Sequence, residues 1–183
     1  MTKDKQLLLS YANNMKLSTL ETVFNTLNQA NIKYLVAGGI AVNIHGYQRL
    51  TAYLDLVIQL DADNIKNAMN SLNQLGYSPL IPVNANDFAD PSKRKNWIET
   101  KNMQVLSLQS PQHPETTIDI FVDEPFDFNL EYKSSTCGEL TPDIRFNIVN
   151  IPTLIKMKQQ AGRAKDLDDI EHLKIILENN DDK

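Results

Sequence analysis

The first part of the chain shows apolar residues at two different spacings. Between residues 17 and 30 they recur every three or four positions, which places one apolar face of a helix on a core; they are Leu17, Leu20, Phe24, Leu27 and Ala30. Ser18 is a candidate cap for this helix. Residues 34–37 are typical of a short strand and residues 40–44 of a short helix. Gly38-Gly39 separates the two, so we expect a strand, a tight turn and a helix in succession.

At residues 53–60 an apolar residue occupies every second position, which predicts a second strand. One of its faces carries Leu54, Leu56, Ile58 and Leu60, and the other carries Tyr53, Asp55, Val57 and Gln59. Later patterns predict further elements: a helix over residues 63–75, a proline-containing loop over 78–91, paired strands over 103–108 and 116–122, further strands within 132–149, and helices over 152–161 and 166–177. Gly162 separates the last two helices, and residues 178–183 are expected to form a frayed tail. This order predicts a mixed α/β (α+β) fold, a single mixed β-sheet flanked by helices, with helices at the C-terminal end.

The composition narrows the class of protein. A chain of 183 residues is long enough for one well-buried core and short for two, so we expect a single domain with its core at about residues 17–177. Cys137 is the only cysteine, which excludes an intrachain disulfide and fits a reducing compartment. No apolar run approaches the ~20 residues that span a bilayer. We therefore expect a cytoplasmic protein without a membrane partner.

The charge bears on nucleic-acid binding. The net charge of −5 does not suit a general nucleic-acid binder, because neutralising phosphates requires clustered lysines and arginines. One local exception is the run Lys93-Arg94-Lys95, followed by Trp97, which could neutralise a nucleic acid and stack on its bases. The alternative, an exposed helix start with one packed tryptophan, is the more common use of such a run.

Three groups of residues are candidates for chemistry. Gly38-Gly39 would let the backbone approach a ligand, and the helix N-terminus that follows suits a phosphate, although glycine pairs are also common in simple turns. Asp55 lies on a strand, where residues i and i+2 share a face; two carboxylates at that spacing can hold Mg²⁺ jointly, but the partner position is Tyr53. A further carboxylate is Asp119, which points away from the apolar face of its strand; the alternative is an ordinary hydrogen-bonded or solvent-facing aspartate.

In this order, the residues resemble a signature of the nucleotidyltransferase superfamily with the DNA polymerase β-type fold, in its bacterial AbiEii-like, minimal branch. The signature reads GG…hG…R-x-T-x-D-x-D, and the matching residues are Gly38, Gly39, His45, Gly46, Arg49, Thr51 and Asp55. A later segment is similar to the family's helical K-x-x-A…R-x-x-D-x-x-D motif and contains Lys158, Ala161, Arg163, Lys165, Asp166 and Asp169. Taken alone, these residues have ordinary explanations: Arg49 as a surface charge, the lysines as a solvated helix face, and Asp166 as an acid favoured by a helix N-terminus.

The resemblance implies a nucleotide site over nearly the whole chain, about residues 17–177. It implies catalytic roles for Asp55, Asp119 and Lys158, with Mg²⁺ bound by the two aspartates. It implies nucleotide contacts from six residues: Gly38, Gly39, Arg49, Thr51, Arg163 and Asp166. Tyr53 stands where the family has the first metal-binding aspartate.

Tyr53 leaves two hypotheses open, because a tyrosine is neutral at pH 7 and does not replace a carboxylate unaided. In the first, Asp55 and Asp119 still hold one Mg²⁺ with an NTP, and the nucleotide passes slowly to a hydroxyl of RNA, such as tRNA, or of a protein. The family includes toxins of toxin–antitoxin pairs, which implies a cognate antitoxin as a partner. In the second, the chain is an impaired transferase that binds a nucleotide without chemistry, or an interaction module that reuses the fold.

Overall fold

The computed structural model describes residues 15–181, without the side chains of residues 180 and 181. The described residues form eight helices and seven strands. The helices are α1 (Leu17–Gln29), α2 (Gly38–His45), α3 (Ala62–Gln74), α4 (Ala85–Ala89), α5 (Pro91–Lys101), α6 (Phe128–Ser134), α7 (Ile151–Ala161) and α8 (Ala164–Asp181). The strands are β1 (Tyr34–Val36), β2 (Tyr53–Ile58), β3 (Ser78–Pro79), β4 (Val105–Gln109), β5 (Thr117–Phe121), β6 (Thr136–Thr141) and β7 (Ile144–Ile148).

All seven strands belong to one mixed sheet, in the order β3-β4-β5-β2-β1-β7-β6. Two neighbouring pairs are parallel, β2 with β5 and β1 with β7, and the other pairs are antiparallel. This arrangement confirms the predicted fold class. The parallel pair of β2 and β5 lies at the centre of the sheet, in a register that sets Leu54 opposite Ile118 and Leu56 opposite Ile120. These four side chains are fully buried and fix the face of the sheet that packs on the core.

The helices close over the sheet through their apolar faces, as their spacing predicts. Four residues on one face of α1 are fully buried: Leu20, Val23, Phe24 and Leu27. The ring of Phe24 stacks on that of Phe146 in β7, with ring centroids 4.4 Å apart. Stacked aromatic pairs of this kind add about 0.5–1.5 kcal/mol beyond their burial, so α1 is firmly held against the β7 side of the sheet.

Side chains and glycines mark where the helices begin and end. Asp61 accepts a hydrogen bond from the Asn64 backbone N–H and so caps α3. Gly46 ends α2 and Gly162 ends α7, both in the left-handed conformation that glycine adopts without cost. Gly162 therefore separates α7 from α8, as the sequence predicts. Within residues 15–181, no helix is both long enough and apolar enough to cross a membrane.

Of four further local predictions, three were wrong and one was confirmed. The N-cap of α1 is Lys16, without a side-chain hydrogen bond, so Ser18 is not the cap. Residues 78–91 are not a continuous loop, because they contain β3, α4 and the first residue of α5. The further strands predicted within residues 132–149 are confirmed as β6 and β7. In the predicted frayed tail, residues 178–181 continue α8, and residues 182–183 lie outside the described part of the chain.

Candidate active site

The turn between β1 and α2 is shaped by contacts that only glycine permits. Gly38 has a φ of +60°, in the left-handed region, and a Cβ at this position would lie 1.9 Å from Asp55 Oδ2. A Cβ at Gly39 would lie 2.6 Å from Thr51 Oγ1 and 3.0 Å from Arg49 Nη1. The glycine pair thus lets β2 and the segment before it come up against the N-terminus of α2. The first backbone N–H groups of a helix lack helical partners and favour an anion.

The sheet presents a row of polar side chains beside this turn. Asp55 of β2 lies directly opposite Asp119 of β5, and Asp119 lies directly opposite Ser107 of β4. Side chains alternate between the two faces of a strand, so all three lie on the face opposite the buried leucines and isoleucines. The central strands therefore hold two carboxylates side by side on one face of the sheet, as the alternation along β2 and β5 predicted for each strand separately.

Within residues 15–181, neither carboxylate forms an ion pair with a lysine or an arginine. Burial and the neighbouring charge of Asp119 raise the pKa of Asp55 to about 6, although Lys158, a backbone hydrogen bond from Gly39 and Arg163 act in the opposite direction. Among the described residues, the buried Oδ1 of Asp119 has no hydrogen-bond partner. Buried polar atoms are nearly always paired. An unpaired carboxylate oxygen next to a second carboxylate is an arrangement that a bound cation would complete.

Tyr53 occupies the position two residues before Asp55 and lies on the same face of β2. Its side chain remains 48% exposed and lines the cavity over the sheet. Its partner in β5 is Thr117, so this pair lies two residues before the pair of Asp55 and Asp119 along the two strands. The site thus has an aromatic surface where a third carboxylate would complete the family signature.

A buried network of ion pairs joins α7, α8 and the segment before β2. Lys158 of α7 donates to Asp166 at 3.2 Å and to Asp169 at 2.6 Å. Arg49 binds the same Asp169 with two nitrogens, Nε at 2.6 Å and Nη2 at 2.9 Å. Arg163 donates to Asp166 from Nε at 2.8 Å. Both carboxylates are fully buried and Lys158 nearly so, whereas the Arg163 side chain is 61% exposed, so three cations share two buried anions in a cluster that is open on the Arg163 side.

A cavity of about 970 Å³ opens over the polar face of the sheet. Most of the predicted site residues line it: Gly38, Gly39, Arg49, Thr51, Asp55, Asp119, Lys158 and Arg163. Asp166 does not, because its side chain is fully buried against Lys158 and Arg163. Burial raises the pKa of Asp166, but the hydrogen bonds from Arg163 and Lys158, the charge of Lys158 and the Arg163 backbone N–H together lower it below the usual value. Asp166 therefore holds cations in place and does not line the cavity.

Arg49, for which a nucleotide contact is predicted, has three of its nitrogens engaged within the protein. Its Nε and Nη2 are taken by Asp169, and its Nη1 donates to the carbonyl of Leu50 at 3.0 Å. The guanidinium lines the cavity but is anchored to α8. Its position ties the loop before β2 to the C-terminal helices.

Sequence reasoning gave no role to several residues of the site. Asp169 and Lys165 lie in the quoted C-terminal motif, and only the structure shows that Asp169 pairs with Arg49 and that Lys165 lines the cavity. Ser107 and Phe121 also line it. Their alternation along β4 and β5 could have placed them on the polar face. The pairing of β4 with β5, and of β5 with β2, decides which of them meet.

The basic run near Trp97 lies in the first turn of α5 and is exposed except at Arg94. Arg94 is only 7% exposed, and its Nη1 donates to the carbonyl of Phe88 at 2.6 Å. Lys93 forms an ion pair with Asp87. The run is therefore the first turn of α5 with a buried arginine, close to the more common of the two predicted uses.

Comparison with known proteins identifies the fold through structure and not through sequence. No protein-family model matches the chain, and no curated protein resembles it significantly in sequence. Among solved structures, the lincomycin-bound lincosamide antibiotic adenylyltransferase LnuA is similar, with a TM-score of 0.55 at 15% identity over 90% of this chain and 99% of that chain. The antibiotic-resistance factor ANT(2″)-Ia reaches 0.55 at 10% identity over 87% and 83% of the two chains.

A protein from Thermotoga maritima, provisionally assigned as a nucleotidyltransferase, also has a TM-score of 0.55, at 11% identity over 92% of this chain and 96% of that chain. At such identities the likeness concerns the fold, and the three proteins share it over most of their length. The chain therefore has the nucleotidyltransferase fold, with the paired aspartates of β2 and β5 on the face of the sheet that the cavity covers.

Proposed function

We propose that the chain is a Mg²⁺-dependent nucleotidyltransferase that moves a nucleotide from an NTP to a hydroxyl acceptor. The observation that supports this most is the pairing of Asp55 with Asp119 beside the N-terminus of α2, within one cavity. Transfer of a phosphoryl or nucleotidyl group needs little covalent chemistry from the protein. It needs carboxylates that hold the metal and positive groups that hold the phosphates.

The residues of the site fit one Mg²⁺ ion. Asp55 and Asp119 would hold it, since Mg²⁺ in proteins is usually bound through one or two carboxylates, with substrate phosphates and water as the other ligands. When bound, the ion supplies charge neutralisation to the phosphates. The unpaired oxygen of Asp119 and the raised pKa of Asp55 are what such a partner would relieve. Among the described residues, no group of three His, Cys, Asp or Glu side chains could hold a metal, so Tyr53 leaves the site short of one carboxylate.

The chain's own groups divide the remaining work. The N–H groups at the start of α2, Lys165 and the exposed part of Arg163 can bind phosphate oxygens, and Lys158, fixed by its two aspartates, keeps a positive charge beneath them. A carboxylate of the site would accept the proton of the acceptor hydroxyl, and Asp55 and Asp119 are the candidates because both line the cavity.

A catalytically impaired, nucleotide-binding protein is the second candidate function. The observation that favours it is Tyr53, whose exposed ring stands in the cavity where the family signature has a carboxylate. In this case the cation cluster and the α2 N-terminus would still bind the phosphates, and transfer would be slow or absent.

The finer parts of the proposal rest on the motifs. The resemblance to the AbiEii-like branch supports a toxin with a cognate antitoxin, and an RNA, such as tRNA, or a protein as acceptor. The structural relatives point elsewhere, because LnuA is a lincosamide adenylyltransferase and ANT(2″)-Ia is known in complex with adenylyl-2″-tobramycin. Both kinds of acceptor present a hydroxyl.

The test is calorimetry of Mg²⁺-dependent NTP binding to three proteins: the native chain, Tyr53→Asp and Tyr53→Phe. We expect the native chain to bind, Tyr53→Asp to bind Mg²⁺·NTP more tightly and to gain transfer of an α-labelled nucleotide, and Tyr53→Phe to behave as the native chain does. Binding without any labelled product would favour the impaired protein. If neither the native chain nor Tyr53→Asp binds an NTP, the proposed function is wrong and the fold serves another purpose.

A further inference from the structure

The cavity over the sheet has two walls of different character. The first, which we call the α7–α8 wall, carries the four basic residues among the described residues that line the cavity: Arg49, Lys158, Arg163 and Lys165. The second, which we call the β4 wall, comes from the end of α5, from β4 and from the end of β5. Asp123 is its one acid, and its other residues are apolar or uncharged; they include Ile98, Gln104, Val105, Ser107 and Phe121.

The topology of the sheet keeps these walls on opposite sides of the two catalytic aspartates. Asp55 and Asp119 lie on β2 and β5 at the centre, β4 follows on one side, and β1 and β7 follow on the other. Helix α2 leaves β1, and α7 and α8 pack against α2, so the basic residues belong to the β1 side. A molecule between the walls would have cations on one side of Asp55 and none on the other.

The charge of the β4 wall selects what can lie on it. Asp123 is exposed there, and its nearby cation, Arg94, interacts with it from a buried position against Phe88 and does not line the cavity. Val105 and Phe121, which are directly opposite each other in the sheet, are half-buried and offer an apolar surface. A phosphate or carboxylate on this wall would meet the Asp123 carboxylate and, among the described lining residues of the wall, no lysine or arginine, whereas an amine could pair with Asp123 directly.

We infer that the acceptor of the reaction is a small amphipathic hydroxyl compound without negative charge, bound on the β4 wall with its apolar side on Val105 and Phe121. An amine on this compound pairs with Asp123. The triphosphate, which needs cations, occupies the α7–α8 wall. This inference rests on the proposed function and names the acceptor class for the same site. The cavity volume of about 970 Å³ lies within the range of small-molecule sites.

The same charges disfavour RNA as the acceptor. An RNA strand that offers a hydroxyl at Asp55 brings phosphates on both sides of it, and these would have to cross the β4 wall. The neighbouring basic run does not line the cavity: Arg94 is buried, and the exposed Lys93 and Lys95 pair with Asp87 and with Glu99, the latter at 3.8 Å.

The first experiment measures transfer from α-labelled ATP and GTP, with Mg²⁺, to five probes present separately: lincomycin, tobramycin, glucose 6-phosphate, total tRNA and casein. Binding of each probe at millimolar concentration to the chain loaded with Mg²⁺ and a non-hydrolysable ATP analogue is measured by calorimetry in parallel. We expect binding and labelling of the amine-bearing small molecules only. Stronger binding or labelling of tRNA, casein or the sugar phosphate overturns the inference, and so does the absence of binding by both amines.

The second experiment reverses the charge of the β4 wall. Gln104 is exposed on this wall, and Gln104→Lys is expected to weaken the binding of the amine probe about tenfold without weakening nucleotide binding. Gln109→Lys is the matched control, because it adds the same charge at an exposed position of β4 outside the cavity lining and should change neither value. Equal effects of the two variants overturn the inference.

Asp123→Asn removes the single acid of the β4 wall and, like Gln104→Lys, should weaken the binding of the amine probe. Nucleotide calorimetry distinguishes failure of the proposed function from failure of the proposed acceptor class. If no protein binds Mg²⁺·NTP, the proposed function fails and the acceptor class with it. If the nucleotide binds and the amine probes ignore both Gln104→Lys and Asp123→Asn, only the acceptor inference fails.

Discussion

Asp55 lies against Gly38 and opposite Asp119, and burial together with that second carboxylate raises its pKa to about 6. In the unfolded chain an aspartate has a pKa of about 3.9, so the folded state binds this proton more tightly. The stabilising contribution is therefore complete below about pH 4 and is lost as the pH rises through 6. We expect Asp55→Asn to be more stable than the native chain at pH 8, by on the order of 1–3 kcal/mol, and to lose this advantage at pH 4.

Urea denaturation in EDTA at pH 4, 6 and 8 measures this difference. Asp63→Asn is a suitable control, because Asp63 is exposed in the first turn of α3 and its replacement should shift the stability equally at pH 6 and pH 8. A difference between Asp55→Asn and the native chain that stays constant from pH 4 to pH 8 would contradict the raised pKa.

Gly38 offers a second test of the same contact. Gly38→Ala adds a Cβ at 1.9 Å from Asp55 Oδ2 and at a φ of +60°, so the carboxylate has to move. Gly162→Ala has the same backbone strain at a φ of +62°, but the nearest atom to its Cβ, the Gln159 carbonyl oxygen, is 3.8 Å away. Left-handed strain costs about 1–2 kcal/mol for either alanine.

Thermal unfolding and nucleotide calorimetry of the two alanine variants distinguish the effect of backbone strain from the effect of displacing the Asp55 carboxylate. We expect Gly162→Ala to lose stability alone, and Gly38→Ala to lose more stability and also NTP binding. Equal losses in both variants would mean that the close approach of Gly38 to Asp55 has no part in binding.

The candidate site could be predicted one strand at a time. Alternation along β2 and β5 placed Asp55 and Asp119 on the polar faces of their strands, and the structure sets the two opposite each other. The partnership itself depends on which strands become neighbours, and local sequence does not encode this. The same limit hid the pairing of Arg49 with Asp169, whose residues lie on distant parts of the chain.

The contact between α7 and α8 depends on charge as well as on apolar packing. Lys158 is 4% exposed and lies between two fully buried carboxylates, Asp166 and Asp169. Removing one partner of a buried ion pair usually costs about 3–5 kcal/mol, because the other charge stays buried. We expect Lys158→Met to lose about 3 kcal/mol, at the lower end because Arg163 and Arg49 still bind the two carboxylates.

Chemical denaturation of Lys158→Met and Lys156→Met measures this cost. Lys156 is exposed on the same helix, so its replacement should change the stability by less than about 0.5 kcal/mol. If Lys158→Met also costs less than about 1 kcal/mol, the two arginines hold the carboxylates by themselves and the lysine is dispensable for the fold.

The helices and strands that could be predicted are those with enough residues to show a period. Helices α1, α3 and α7 begin within a residue of their predicted starts, because each exposes one apolar face to the core. Helices α4 and α6 have five and seven residues, too few for a helical period to stand out. Pro79 and Pro82 made the segment around β3 look like a loop, although Pro79 lies at the end of a strand on the edge of the sheet, where a missing N–H is tolerated.

The sheet as a whole depends on its shortest central strand. Only three residues long, β1 pairs antiparallel with β2 on one side and parallel with β7 on the other. It therefore joins the β3-β4-β5-β2 part of the sheet to the β7-β6 part. The length of the chain predicts a single domain. That prediction holds if the two parts of the sheet unfold together.

Trp97 makes this question measurable, because the only tryptophan of the chain lies in α5, on the β4 side of the sheet. Its fluorescence reports that side, whereas far-UV circular dichroism also reports α7 and α8 on the other. For one cooperative domain, we expect the two signals to give the same urea midpoint.

Leu35→Ala, at a fully buried position of β1, should lower both midpoints together by the equivalent of about 2–5 kcal/mol. Leu130→Ala, 65% exposed, should leave both unchanged. If Leu35→Ala instead separates the two transitions, the sheet consists of two units that meet at β1, and the site, whose cations and carboxylates come from both sides of it, would be lost before the fold.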